Sequence, residues 1–452
     1  MKIHFDLSGR LVTGMLSCAL AIAFAGCAGS KNVIPSLGLP VPGPATPTNS
    51  YTGTQSPGLW SLTLDNTQNL YSYQAMTYPA NPDTATTGNF TNVAGYDSWP
   101  ILGSSSNGYA LELPSQALIL RPGDNTTSPV IAAQQSTCFP IGGNVTFNLV
   151  FVPNGSDLDP NPGRAVPAYG SIAMGTSPDG SSWSFGDQYL YKMPATLGAP
   201  GFGKVLPGTP GGNYLKTFNG TCSVQNAQAS IAVPAGTGDS HTGYDIPTTY
   251  VVGEAGILIE DQSPATPTPQ EPAPPAAVGF IQPASPVSAS ALVSGKYLGF
   301  IYEPSNTGAR TQPIGFGQVV AGSGTTLSGA IFLNDDVTDI PASPILPPPY
   351  PGAPSSGGTP IANILVNLGA QDPANNGLFP NAILTIPDPG QVCVPNGARQ
   401  PGGIPGVDAN GNETCTFNGV AIAGAMQNKY AIFIASYDAV SDSSMGMYLF
   451  QQ

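Results

Sequence analysis

Charge is what this chain most lacks. Lys, Arg, Asp and Glu together make up 8% of its 452 residues, against roughly 25% for an ordinary soluble domain. Only 12 residues are Lys or Arg, and the net charge is −14. A chain so poor in basic residues has no electrostatic footprint for nucleic acid and no polybasic patch for anionic lipid. Histidine is scarcer still, at 2 in the whole sequence, which excludes a His-rich metal site. Any Ser-His-Asp triad beyond the first residues would have to use His241. That residue sits in Asp239-Ser240-His241-Thr242-Gly243, a loop composition that leaves an imidazole in solvent, and no Gly-x-Ser-x-Gly elbow accompanies it. No catalytic residue and no cofactor motif is therefore assigned. Also missing is an uninterrupted helical pattern of about 12 residues anywhere after position 26. Parallel sheets need crossover helices, so strands in this chain must pair antiparallel.

What is present is 41% hydrophobic residues, with 56 Gly and 49 Pro. The apolar residues fall in short dense runs between turn residues. Such runs bury enough surface to offset ordering entropy, which argues for a folded β protein over a disordered one.

The first ten residues carry Lys2 and Arg10, and an uncharged apolar run follows from Leu11 to Gly26. That run is short for a spanning helix, which needs about 20 residues, and reads as a signal peptide over 1–26. Its loss would remove Lys2, Arg10 and Asp6 and leave the chain slightly more acidic. Phe24-Ala25-Gly26-Cys27 resembles the lipobox of bacterial lipoproteins, with Phe24 where that family has Leu most often. The resemblance implies cleavage before Cys27 and acyl chains on Cys27 that anchor the chain in a bilayer. Several chains at ~0.8 kcal/mol per buried CH₂ hold stably where one would be marginal. Ala28 stands where the inner-membrane retention pattern has Asp, so the resemblance points to the outer membrane. Residues 27–57 are rich in Pro, Gly and Ser and read as an extended tether.

From residue 58 onward, β-rich runs alternate with Gly, Pro, Asn and Asp. Leu59–Leu64, Val145–Val152, Ser182–Tyr191, Tyr297–Tyr302 and Tyr430–Tyr437 are clear examples. The expected fold is all-β, with two antiparallel domains at 58–262 and 278–452, each a barrel or a sandwich. Residues 263–277 (SPATPTPQEPAPPAA) read either as a linker between them or as the tip of a hairpin whose arms are Gly256–Glu260 and Val278–Gln282. Ser177-Pro178-Asp179-Gly180 lies between two strand-like runs and suits a hairpin turn. It is one residue short of the Asp-box of sialidase-type propellers, which it otherwise resembles, and it occurs once. Two internal echoes are visible. Segments near Pro114, Cys138 and Thr146 resemble segments near Pro380, Cys393 and Thr416 in the same order, which would fit an old duplication. Lys296-Tyr297-Leu298-Gly299-Phe300-Ile301 resembles Lys429-Tyr430-Ala431-Ile432-Phe433-Ile434, as two similar barrel strands would.

Of 6 cysteines, Cys18 leaves with the leader and Cys27 takes the lipid, which leaves Cys138, Cys222, Cys393 and Cys415. An even number in an exported chain favours two disulfides. One bridge per domain gives Cys138–Cys222 and Cys393–Cys415. A Cys₄ zinc site is the alternative, and the absence of any Cys-x-x-Cys spacing disfavours it. Glycoside hydrolysis would need two carboxylates from Glu112, Glu254, Glu260, Glu271, Glu303 and Glu413. Glu271 falls in the Pro-rich stretch, and nothing singles out another as an acid. The acidic loops Asp157–Gly163, Asp335-Asp336 and Asp408–Asn412 lack the Gly and closing Glu of a calcium loop. Trp60, Trp99 and Trp183 could form a sugar-stacking face, with core packing as the default. The favoured reading is a non-enzymatic lipoprotein of the cell envelope that binds, adheres or plays a structural role. Its partners would be the bilayer through Cys27 and a glycan or an envelope protein. The alternative is a polysaccharide-acting hydrolase.

Overall fold

Short β-branched and aromatic runs separated by turn residues pair with their neighbours in sequence. The computed structural model describes residues 48–54, 59–76, 86–92, 101–104, 109–113, 116–121, 129–151, 169–191, 217–225, 228–233, 248–261, 276–302, 314–331, 362–387, 404–408, 411, 413–426, 429–438 and 443–451. Within them the chain is all-β and antiparallel, as the sequence pattern implies, with one short helix. The leader, Cys27 and His241 lie outside the described residues.

The strands fall into three sheets. The first is a closed barrel of β1 (Thr48–Thr54), β2 (Leu59–Asp65), β3 (Leu70–Ala75), β4 (Thr86–Asn92), β5 (Ile101–Ser104), β6 (Tyr109–Leu113), β7 (Ala117–Arg121) and β8 (Val130–Ala133). It closes where Gly53 pairs with Ala132. The second closed barrel comprises β9 (Val145–Phe151), β10 (Tyr169–Thr176), β11 (Ser182–Tyr191), β12 (Thr217–Gln225), β13 (Gln228–Val233), β14 (Thr248–Val252), β15 (Ile257–Asp261) and β16 (Ala277–Ile281). Helix α1 (Ala289–Val293) leads into the third sheet. That sheet holds β17 (Tyr297–Tyr302), β18 (Ile314–Ser323), β19 (Thr326–Ile331), β20 (Ala362–Asn367), β21 (Leu378–Pro387), β22 (Ile404–Val407), β23 (Glu413–Met426), β24 (Lys429–Asp438) and β25 (Ser443–Gln451). Strand β23 pairs with β21 along one side and with β22 and β24 along the other, so the third sheet also joins end to end.

Side chains alternate across a strand, and here both faces are used. On β6, Ala110 belongs to the interior of the first barrel, while Leu111 and Leu113 join a cluster built from all three sheets. On β15, Leu258 faces the second barrel's interior and Ile257 and Ile259 face that shared cluster. Strands covered on both sides read as continuous apolar runs rather than alternating ones, which explains Ile257-Leu258-Ile259 and Ala277-Val278-Gly279-Phe280-Ile281. The shared cluster also takes Phe300, Phe433, Tyr448 and Phe450 from the third sheet.

Several sequence expectations change. Strand β16 pairs with β15 and with β9, the pairing that the hairpin-tip reading of 263–277 expects. The expected first domain, 58–262, therefore resolves into one barrel and most of a second. Strand β1 lies inside the expected tether of 27–57. Thr48-Asn49-Ser50-Tyr51-Thr52-Gly53-Thr54 has β-branched and aromatic residues but little hydrophobicity, and its one large apolar side chain, Tyr51, is fully buried. The duplication echo does not map onto the topology. Its members fall on β7 and β9 in different barrels, but on β21 and β23 that pair directly with each other. Shared strand composition accounts for it. The shorter echo is topological: β17 and β24 flank β25, and both send their aromatic Phe300 or Phe433 to the shared cluster.

Candidate functional site

The first barrel differs from the other two in what fills it. Register places Asn49 and Tyr51 of β1, Leu62 and Leu64 of β2, Tyr71 and Tyr73 of β3, and Glu112 of β6 on the inner face. Glu112 is buried at 1% exposure. Its Oε1 accepts from Asn49 Nδ2 at 2.8 Å and from Tyr51 Oη at 2.6 Å. Its Oε2 is buried and has no hydrogen bond of ordinary length and angle, and the Asn66 side chain near the carboxyl acts on it only at longer range. Burial pushes the Glu112 carboxyl above the usual range, against the lowering pull of Tyr51, Asn49 and Asn66. A carboxyl in such surroundings favours its neutral form. Beside it runs an aromatic row. Trp60 and Tyr73 have ring centroids 5.6 Å apart, and Tyr71 stacks on Tyr73 at 6.1 Å. These three rings pack against the inner cluster yet remain only half-buried. Gly88, paired with Tyr71, carries no Cβ to collide with the Tyr71 ring. The indole Nε1 of Trp60 is buried without a hydrogen bond.

In the second barrel the described inner side chains are sealed. Trp183, Phe185, Phe147 and Tyr250 are each at most 1% exposed. Phe185 and Tyr250 stack at 4.4 Å, and Phe139 meets Trp183 edge-on. Trp183 Nε1 donates to Gly180 O at 3.0 Å, locking the β10–β11 turn. In that turn Asp179 Oδ1 accepts from Ser177 Oγ and from Ser181, which lowers the Asp179 pKa to about 2. The Ser177–Gly180 segment is thus a hairpin turn, as its residues indicate. Trp60 and Trp183 lie in different barrels and form no common sugar-stacking face, and Trp99 is outside the described residues.

The other carboxylates are scattered. Glu260 is buried on the inner face of the second barrel, opposite Tyr250. Glu254 accepts from Ser136 Oγ in the loop between β14 and β15. Glu413 is exposed at the start of β23. Glu271 and Glu303 are outside the described residues. No group of three or more potential metal ligands occurs among the described residues, and the backbone carbonyl of Asp408 accepts from Gly411 N.

A disulfide joins Cys138 to Cys222. Cys138 precedes β9 and Cys222 lies in β12, so the bridge ties the segment entering the second barrel to its wall. Cys415 is also disulfide-bonded, and Cys393 lies outside the described residues. Side-chain amides hold the sheets together. Gln228 Nε2 donates to Ser50 O at 2.6 Å between the two barrels. Asn148 Nδ2 donates to Asn376 O at 2.8 Å, and Gln282 Nε2 donates to Asn148 Oδ1 and Asn375 Oδ1, between the second barrel and the third sheet. Sequence reasoning noticed Glu112 but not its partners. Asn49 and Tyr51 lie in the segment read as tether, and only strand register brings them to Glu112.

No family model matches the chain. No curated protein matches it either. Among solved structures it is similar to transferrin binding protein B. The double mutant from Haemophilus parasuis matches at 8% identity and a TM-score of 0.22, over 90% of this chain and 76% of that one. The isotype 1 protein from Neisseria meningitidis matches at 11% identity and a TM-score of 0.23, over 88% and 66%. At such scores the likeness carries no argument about this chain's activity or partners.

Proposed function

We propose that this chain is a lipid-anchored, non-catalytic binding protein of the bacterial cell envelope, held in the outer membrane by acyl chains on Cys27. One observation carries the non-catalytic part. Among the described residues the two fully buried glutamates, Glu112 and Glu260, lie inside different barrels. Glycoside hydrolysis needs two carboxyls about 5–9.5 Å apart across one bound sugar. Groups enclosed in separate barrels do not supply that. The shared apolar cluster and the amide contacts support a rigid three-sheet body, which suits presentation of a fixed surface to a glycan or an envelope protein. Cys393 completes the second bridge with Cys415.

Two experiments test the reading. Cys27→Ser should move the protein from the membrane fraction to the soluble fraction. Retention on membranes at high salt would sink the anchor. Purified protein should bind on a glycan or envelope-protein array without turning over a panel of chromogenic glycosides. Turnover abolished by changing one glutamate would establish the hydrolase instead.

A further inference from the structure

We propose that the interior of the first barrel is a binding site for a small, uncharged, flat apolar molecule that carries a hydroxyl or amide group. This deepens the binding role proposed above and rests on that role being non-catalytic. The three interiors differ in a way that sequence composition does not require. In the second barrel the inner aromatics Trp183, Phe147 and Phe185 are sealed at 1% exposure or less. In the third sheet Tyr297, Phe379 and Phe417 are sealed equally well, and a single inner ring, Tyr430, is half-buried among the described residues. In the first barrel Trp60, Tyr71 and Tyr73 point inward by register yet remain half-buried. Inward rings that solvent still reaches mean that the described side chains of this barrel leave those ring faces uncovered.

The polar groups of this interior are arranged as for a guest. A buried polar atom without a partner loses its hydration with nothing in return, so folded proteins rarely keep one. This interior keeps two of the seven found among the described residues, and only here do they lie beside half-buried rings of the same wall. Glu112 Oε2 is an acid oxygen without a hydrogen bond, although Oε1 of the same carboxyl has two donors. Trp60 Nε1 is a donor without an acceptor. A hydroxyl or amide can both donate and accept, and so can satisfy a carboxyl oxygen or an indole N–H. The aromatic row, fixed by Trp60–Tyr73 and Tyr71–Tyr73 packing, offers flat faces for an apolar body. Net charge on the guest is disfavoured, because nothing basic faces the carboxyl among the described residues and burial penalises a charge on either partner.

The test uses 2-naphthol and naphthalene as probes, titrated calorimetrically into the purified chain. The expected result is one saturable 2-naphthol site per chain, with naphthalene bound about tenfold more weakly, as loss of one buried hydrogen bond implies. Glu112→Leu should remove that preference and bind both probes alike. Trp60→Phe keeps a ring in place and should fold even if Glu112→Leu does not. It should abolish probe-induced quenching of tryptophan fluorescence, while Trp183→Phe should not. The absence of saturable binding to folded protein would overturn the proposal. So would a preference for 2-naphthol unchanged by Glu112→Leu, or quenching that survives Trp60→Phe. A probe bound there and then chemically converted would uphold the site and sink only the non-catalytic reading.

Discussion

The ring of Phe280 on β16 occupies the space that a side chain at Gly424 on β23 would need. A Cβ at Gly424 would collide with that ring, which is also packed on Phe433 with centroids 4.5 Å apart. Second barrel and third sheet therefore meet by inserting an aromatic over a glycine. Gly424→Ala should destabilise by about 1–3 kcal/mol, the usual cost of overpacking. The denaturant midpoint measures this, and an unchanged midpoint would mean that the contact is not required.

The Cys138–Cys222 bridge spans 84 residues of sequence. A loop of that length is worth roughly 4–5 kcal/mol in the chain-entropy account. Replacing both cysteines with Ala should lower stability by that order. Non-reducing peptide mapping should recover the Cys138–Cys222 peptide, and the Cys393–Cys415 peptide if the proposed second bridge holds. A Cys138–Cys393 peptide would contradict both.

Stability should respond to pH through Glu112. Its carboxyl titrates above the ordinary 4.5 in the folded chain. Between the unfolded and folded pKa the folded state holds the extra proton, so this group lowers stability as pH rises through that window. Glu112→Gln should remove the decline. Asp179 acts oppositely, because its folded pKa is lowered from 3.8 to about 2. Its contribution is present above pH 3.8 and is lost on acidification toward pH 2. Asp179→Asn should flatten only that acid limb. Denaturation followed from pH 2 to 8 separates the two, and an unchanged slope above pH 4.5 in Glu112→Gln would refute the assignment.

Proteolysis within 263–277 should cut the chain without separating it. Strands β15 and β16 on either side of that stretch pair with each other, and β16 also pairs with β9. Two fragments should co-elute until denaturant is added. Fragments that separate in native buffer would restore a domain boundary there.

Strand identity was largely legible in the sequence. Runs such as Leu59–Leu64 and Tyr430–Tyr437 carry enough β-branched and aromatic residues to declare themselves. Strands such as β1 and β12 are rich in Ser, Thr, Asn, Gln or Gly and were hidden, because their hydrophobicity resembles that of loops. Partner choice was barely legible. A hairpin tip and a linker have the same Pro-rich composition, and only the pairing of Ala277–Ile281 on both edges distinguishes them.

By itself the sequence determined the class: low charge, no helical periodicity and dense short apolar runs leave little besides antiparallel β structure. It also determined which chemistries lack residues, since scarce histidine cannot be supplied by folding. Only the tertiary structure decided that there are three sheets, that Glu112 and Glu260 are enclosed apart, and that Asn49 and Tyr51 meet Glu112. Those relations join residues more than 60 positions apart through strand register. Register is set by which faces can be buried together, a property of the assembled sheets that no single segment carries.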